Sequence, residues 1–291
     1  MKPRARWHPF AMLAPTLLVF GVFFVLPVVR AAAYSFMSWD LLTAPRAVGF
    51  GNYTALARSG ELSRILITTV RYSVMVVTGS MALGLALALA LNRPGKFVAF
   101  VRAAIFSAYV VSWVSVALLW MWLLDPDAGA VAAMARALHL PRLGFLSDPN
   151  TALATLAAVT VWKLTGYSMI VFTSGLQDVP PSLLEAAALD GARPLARFRH
   201  VTWPLLRPTA AFVATTSIIV SFQAFDIVRI MTQGGPVHAT TLFVYAIYEQ
   251  VFLDLRVGRA SALTVVFLAV LLGLAALQLW AWRARTGRLS R

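Results

Sequence analysis

Few residues in this sequence could do chemistry, and most of them fail on spacing. Histidine occurs only at positions 8, 139, 200 and 238, none inside an apolar run, so there is no intramembrane Ser/His pair and no H-E-x-x-H metal motif. No G-x-x-x-x-G-K-[ST] loop is present to cradle a nucleotide phosphate, and with no cysteine a disulfide framework, a thiolate zinc site and a thiol nucleophile are all excluded. The expectation is a chain with no catalytic residues, no metal and no cofactor. Any energy taken from ATP has to enter through another subunit.

Charged side chains within apolar runs remain, and each costs about 2.5–3.5 kcal/mol at the centre of a spanning helix. Lys163 lies near the middle of one run, beside Trp162, Thr165, Gly166 and Tyr167. Asp226 and Arg229 lie three residues apart in another, which predicts one helical face shared with Gln223. Lys163, Tyr167, Gln223, Asp226 and Arg229 are therefore candidates for lining a solute pathway. The competing reading is that Asp226 neutralises Arg229 or Lys163 and fixes helix packing. Arg30 and Arg71, at the ends of their runs, can snorkel to the interface. An ion-coupled secondary transporter is the alternative from another class, weakened because a carboxylate relay ordinarily needs more than one intramembrane acid.

A second set of residues is polar and basic and lies between two apolar runs: Glu185-Ala186-Ala187-Ala188-Leu189-Asp190-Gly191-Ala192, with Pro204 thirteen residues beyond Gly191. Pro180-Pro181 ends the preceding run, and Ser182 with Glu185 fits a capping box that opens a short helix over 183–189. Asp190-Gly191 stops it, glycine suiting the left-handed cap. A second short helix is expected over 194–203, bounded by prolines and carrying Arg197, Arg199 and His200. Leu183, Leu184 and Phe198 are expected to pack the two helices together. The alanines present little side-chain bulk, which suits insertion into a partner's groove.

The elements that position these residues follow from composition: 60% of the chain is hydrophobic and 12% charged, which defines a polytopic membrane protein. Six mostly apolar runs, 10–29, 72–91, 103–124, 152–175, 209–231 and 261–282, are each about the length a helix needs to cross a ~30 Å hydrocarbon core. They are continuous rather than alternating, so the fold class is all-α, a polytopic helical membrane bundle with six transmembrane helices. Ala31-Ala32-Ala33 resembles a cleavage site, but the first run is too long for a signal-peptide core and is expected to be retained. Ser80, Gly84 and Ala88 form a small-xxx-small ladder for close approach of another helix, in this chain or another.

Cations set the orientation. Both ends and the second–third and fourth–fifth connections carry fourteen of the twenty-five Lys and Arg, whereas the other side carries seven cations and seven of the eleven carboxylates. The termini and the Glu-Ala-Ala insert are therefore expected to be cytoplasmic. The net charge of +14 is spread over short segments at the membrane surface, which argues against nucleic-acid binding. Asn52-Tyr53-Thr54 is a sequon by pattern alone.

The spacing of Glu185-Ala186-Ala187, Gly191, Val201 and Pro204 resembles the EAA signature of the membrane subunits of binding-protein-dependent ATP-binding-cassette importers. The likeness extends through Trp162-Lys163, Gly175-Leu176-Gln177, Pro180, Pro204-Leu205-Leu206 and Pro208-Thr209. It continues in Ser221-Phe222-Gln223-Ala224-Phe225-Asp226, Thr232-Gln233-Gly234-Gly235-Pro236 with Ala239-Thr240, Tyr245, Ile247-Tyr248 and Phe252, and earlier in Gly49-Phe50-Gly51-Asn52-Tyr53. Over nearly its whole length the chain is similar to the carbohydrate-uptake permeases of the maltose and glycerol-3-phosphate type. Val201 stands where the signature usually has Ile, Trp203 where it has Leu, and Phe106-Ser107-Ala108 where members often have a proline.

The resemblance implies a MetI-like domain over residues 66–282 with its EAA loop at about 176–208. This is preceded by a tail, first helix and loop in 1–65 and followed by a basic cytoplasmic tail in 283–291. It implies a second homologous permease, a cytoplasmic ATPase dimer, an extracytoplasmic solute-binding protein and a sugar or sugar-phosphate solute, in a bacterial or archaeal cell membrane. Glu185, Ala186, Ala187, Asp190, Gly191 and Pro204 would then couple the chain to the ATPase.

Overall fold

The structure, a computed structural model, describes residues 8–139 and 144–286. In chain order its elements are α1 (Met12–Tyr34), β1 (Met37–Ser38), β2 (Arg46–Ala47), α2 (Gly51–Arg58), α3 (Glu61–Ala90), α4 (Lys96–Val110), α5 (Trp113–Leu123) and α6 (Ala130–Ala137). There follow α7 (Ala152–Gln177), α8 (Pro181–Leu189), α9 (Pro194–Phe222), α10 (Asp226–Met231), α11 (Phe243–Leu253) and α12 (Val257–Thr286). Among the described residues five helices are long and apolar enough to span a membrane, and α4 with α5 make a sixth if the bent pair counts as one span. The all-α multi-span architecture is the expected one. The cations at positions 2, 4, 6, 142, 288 and 291 lie outside the described residues.

The chain divides into two compact units, residues 1–64 with 246–291, and 65–245. In the first, α1 packs on α12, and the short antiparallel β1–β2 ribbon pairs Met37 with Ala47 and Ser38 with Arg46. Asn52, at 8% exposure, donates its amide hydrogens to the carbonyls of Ser35 (2.8 Å) and Met37 (2.9 Å), and Tyr53 Oη lies 2.8 Å from Ser35 Oγ. The sequon is thus a packing element, its side-chain nitrogen already committed. Gly258 admits the Met37 carbonyl so closely that a Cβ there would collide with it. Glu61, at the start of α3, accepts from Gln250 Nε2 (2.9 Å) and Arg259 Nη2 (2.8 Å).

In the second unit the small-residue ladder of α3 finds its partners within this chain. A Cβ on Gly84 would run into the Cβ of Ser168 and come within 3.0 Å of Met169 N, both on α7, while Ser80 Oγ lies 3.4 Å from Ser217 Oγ on α9. Ala88 joins a core with Met169, Phe172, Leu206 and Val213. Hydroxyl pairs add interhelical hydrogen bonds, Tyr72 with Thr160 at 2.6 Å and Ser73 with Ser221 at 2.7 Å. Such contacts matter in lipid, where burial gives helices little reason to associate. The motif Thr232-Gln233-Gly234-Gly235-Pro236 closes on itself, with Thr240 Oγ1 bonded to Thr232 Oγ1 (2.8 Å) and the Gly235 carbonyl (2.6 Å).

Three expected helices differ. The run 103–124 is broken, α4 and α5 meeting at 99° across extended Val111 and Ser112, with no proline at the break. The run 209–231 ends as a helix at Phe222; Gln223 and Phe225 leave helical geometry and α10 starts afresh at Asp226. Gln223 therefore does not share a helical face with Asp226 and Arg229. The expected short helix 194–203 is instead the beginning of α9, because a π-turn over Phe198–Thr202 carries the helix past Pro204. There Trp203 N–H reaches back five residues to the Phe198 carbonyl, a local rewinding that accommodates a proline ring which would crowd an α-helical carbonyl four residues earlier.

Candidate functional site

Two features of the second unit are candidates for function: a cleft among the membrane segments, mostly apolar at one end and half polar at the other, and an exposed helical hairpin. The cleft has two adjoining parts that share Val220. One, of about 200 Å³, is lined by Tyr109 and Tyr167, whose rings stack at 5.0 Å, with Leu164, Thr216, Ser217 and Ile219. The other, of about 150 Å³, is lined by Trp113, Gln223, Ala224, Phe225, Asp226 and Ile227. The structure thus brings together Tyr167, Gln223 and Asp226 of the expected pathway residues. Arg229, on α10, lines neither part.

Lys163 is committed elsewhere. Only 2% exposed, it donates through Nζ to the carbonyls of Ala108 (3.2 Å), Tyr109 (3.0 Å) and Val111, at the end of α4 and the break that follows. The Trp113 ring centroid lies 4.9 Å from Nζ and that of Tyr109 5.9 Å away. A helix ending inside a membrane leaves carbonyls without partners and a negative dipole end, and an ammonium satisfies both. Among the described residues Asp226 forms no ion pair with it; the charge is met by carbonyl dipoles and aromatic faces. Close approach of α4 to α7 is secured by Gly166, where a Cβ would lie 2.6 Å from the Ile105 carbonyl.

Sequence reasoning missed Tyr109, Trp113, Thr216 and Ser217 as lining residues. Trp113 is placed by the helix break, which leaves no mark in hydropathy. Tyr109, an aromatic with a polar tip inside an apolar run, carried a usable signal.

The hairpin consists of α8 and the first turns of α9. The capping box is not formed: Pro180 is the N-cap residue, Ser182 lies inside the helix, and no side-chain cap is made, because the two prolines start the helix two residues earlier than a Ser182 cap would. At the other end the expectation holds. Gly191 has φ +76°, its N–H donates to the Ala188 carbonyl (3.0 Å), and Ala192 N–H donates to Ala187 (2.9 Å), the paired closure of a Schellman cap. Glu185, Ala186 and Asp190 are exposed and Ala187 is half-buried. Leu183 (46%), Leu189 (91%) and Leu195 (77%) stand out as apolar side chains on a polar hairpin. Phe198 packs on Trp203, at 6.2 Å between rings.

A multi-span protein with a cleft among its membrane segments and an exposed helical hairpin between two of them has the parts of a transport protein. Residues 80–284 match the family model described as "Binding-protein-dependent transport system inner membrane component", and the chain belongs to that family. It is an importer permease, and the ion-coupled alternative gains no support. The chain is 33% identical over 276 residues to the sn-glycerol-3-phosphate transport system permease protein UgpA of Rhizobium meliloti (strain 1021), covering 93% of this chain and 92% of the relative. Its identity to the protein of that name from Escherichia coli O157:H7 is 30% over 277 residues, covering 92% of each. Among solved structures, a chain of a bacterial ABC transporter that imports the acidic polysaccharide alginate superposes with TM-score 0.78 at 23% identity, covering 94% of this chain and 95% of that one. A structure of the bacterial alginate transporter bound to its alginate pentasaccharide-loaded periplasmic protein gives 0.80 at 23% identity, over 94% and 92%.

Proposed function

We propose that this permease works with a second, homologous permease, a cytoplasmic ATPase dimer and an extracytoplasmic solute-binding protein to import a sugar or sugar-like solute. Glycerol 3-phosphate is included among the candidates because of the relatives' name. ATP hydrolysis belongs to the partner. The transport domain is residues 66–282, with both termini and the EAA hairpin on the cytoplasmic side of a prokaryotic cell membrane.

The observation that carries the coupling role is the form of the hairpin. Helix α8 is closed by a Schellman cap at Gly191 and followed by α9, which runs without interruption from Pro194 to the serines and threonines of its intramembrane part. A push on Glu185, Ala186, Ala187 or Asp190 would be passed through Pro204 along a single helix to Thr216, Ser217 and the break at Gln223, where the cleft begins. On this reading Tyr167, Gln223 and Asp226 face the solute, and Lys163 and Arg229 position the elements around it.

The test is co-purification and uptake with Glu185→Lys and Gly191→Trp. Both variants should insert into the membrane and retain the second permease while losing the ATPase and solute uptake. Unchanged uptake in both would remove the coupling assignment.

A further inference from the structure

A cleft of about 410 Å³ lies in the first unit and shares no lining residue with the one described above. Three arginines line it, Arg46, Arg256 and Arg259, against one carboxylate, Asp40. Asp40 is already occupied: Oδ1 accepts from Leu42 N–H (3.1 Å), Thr43 N–H (2.8 Å) and Thr43 Oγ1 (2.8 Å), bonds that hold its carboxyl below the ordinary carboxylate range, those from Thr43 foremost. Arg259 spends Nη2 on Glu61 at 2.8 Å, but its Nε is buried with no hydrogen-bond partner. Arg256 has only a long contact to Asp254, 3.9 Å, with its side chain 56% exposed. The guanidinium groups therefore keep donors that the protein itself does not use.

Position identifies what would use them. Arg259 is in the first turn of the spanning helix α12, and Glu61, its partner, is the first residue of the spanning helix α3. This is the depth of the membrane interface, where headgroup phosphates lie. The cleft also offers apolar surface, which a soluble anion would not need: Leu255, 39% exposed, lines it beside Arg256. Trp39 also lines it, a residue type that favours the interface.

We propose that the cleft formed by Arg46, Arg256 and Arg259 binds the phosphate of an anionic phospholipid, with the lipid's apolar part resting on Trp39 and Leu255. Guanidinium groups pair with phosphate oxygens through two parallel N–H bonds, and each cation near a lipid surface adds to anionic-lipid binding. A lipid held here would tie the β1–β2 ribbon to the start of α12.

The assembled importer, purified in mild detergent, is the material for the test. Native mass spectrometry should find phosphatidylglycerol retained by the unaltered protein. Arg46→Gln with Arg256→Gln, which spares the Arg259–Glu61 pair, should cut retention on the order of 30-fold at two cations removed. Arg46→Lys with Arg256→Lys should restore most of it, which a folding defect would not allow. Phosphatidylcholine should not compete. Equal retention by the Gln variant overturns the proposal, as does thermal stabilisation by inorganic phosphate alone with none from phosphatidylglycerol. Loss of binding-protein affinity in the Gln variant with lipid retention intact also overturns it, and makes the cleft a protein-docking surface.

Discussion

Replacing Lys163 with Met tests whether the break in the third span is held by that side chain. The substitution keeps length and apolar bulk but removes an ammonium that donates to the carbonyls of Ala108, Tyr109 and Val111. Hydrogen bonds from a charged donor are worth about 1.5–3 kcal/mol each, so three amount to roughly 4.5–9 kcal/mol. Against this, about 3 kcal/mol of the cost of placing a cation in the membrane is recovered. The balance is a destabilisation of roughly 1.5–6 kcal/mol, measured as a shift in the unfolding midpoint when denaturing detergent is titrated into mild-detergent micelles. Because the chain has no cysteine, Ser112→Cys gives a single thiol at the break. Its labelling rate should change in the Lys163→Met background, as the orphaned carbonyls draw in water or rewind the segment. A loss of stability below about 1 kcal/mol with unchanged labelling would refute the argument.

Gly84→Val should disrupt assembly of the second unit, since a Cβ there collides with Ser168 and approaches the α7 backbone; a cost of about 1–3 kcal/mol is expected in the same titration, against little change for Gly273→Ala, where a Cβ meets nothing within 4 Å. Glu61→Gln should lower stability by about 1–3 kcal/mol, because it strips the charge from a group receiving both Gln250 and Arg259, and Glu61→Asp should recover only part of this. Deleting His200 removes the extra residue of the π-turn and turns everything before it by about 100° about the α9 axis. Circular dichroism should show the helix retained, while the ATPase no longer co-purifies; uptake at the original level would show that the orientation of α8 is not set by this turn.

What could be read in the sequence was whatever hydropathy or a small set of residue types encodes. The apolar runs are seen because a spanning helix needs about 20 such residues whatever it packs against. The Gly191 stop is seen because only a left-handed residue closes a Schellman cap, and glycine adopts that conformation without strain. The capping box was misread: Ser182 and Glu185 have the right spacing, yet Pro180-Pro181 set the helix start before any cap at Ser182 could act. The small ladder of α3 was legible as a contact surface but not as one satisfied by α7 and α9, since small residues say how near a partner comes and not which partner it is.

The helix breaks were the least legible part and are the part nearest the candidate site. Val111 and Ser112 interrupt one apolar run and Gln223 to Phe225 another, with no proline or glycine at either place to announce it. A window of hydropathy averages across both. Their physical requirement is that backbone leaving the helical ladder at membrane depth must find other partners, in protein or in a water-accessible cavity. Val111 and Ser112 of the first break are exposed, so the carbonyls there depend on a side chain that reaches them. The first break gives its carbonyls to Lys163, and Trp113, the residue that resumes the helix, lines the same cleft as Gln223, Ala224 and Phe225 of the second. Helix α10, which follows the second break, packs on α5, which follows the first. Two irregular segments that each look like a defect are thus mutually placed, and between them they deliver Asp226 to a polar surface inside an apolar span. The buried cation flagged as a pathway candidate donates to the carbonyls at one of these breaks, and the Lys163→Met titration decides whether the break depends on it.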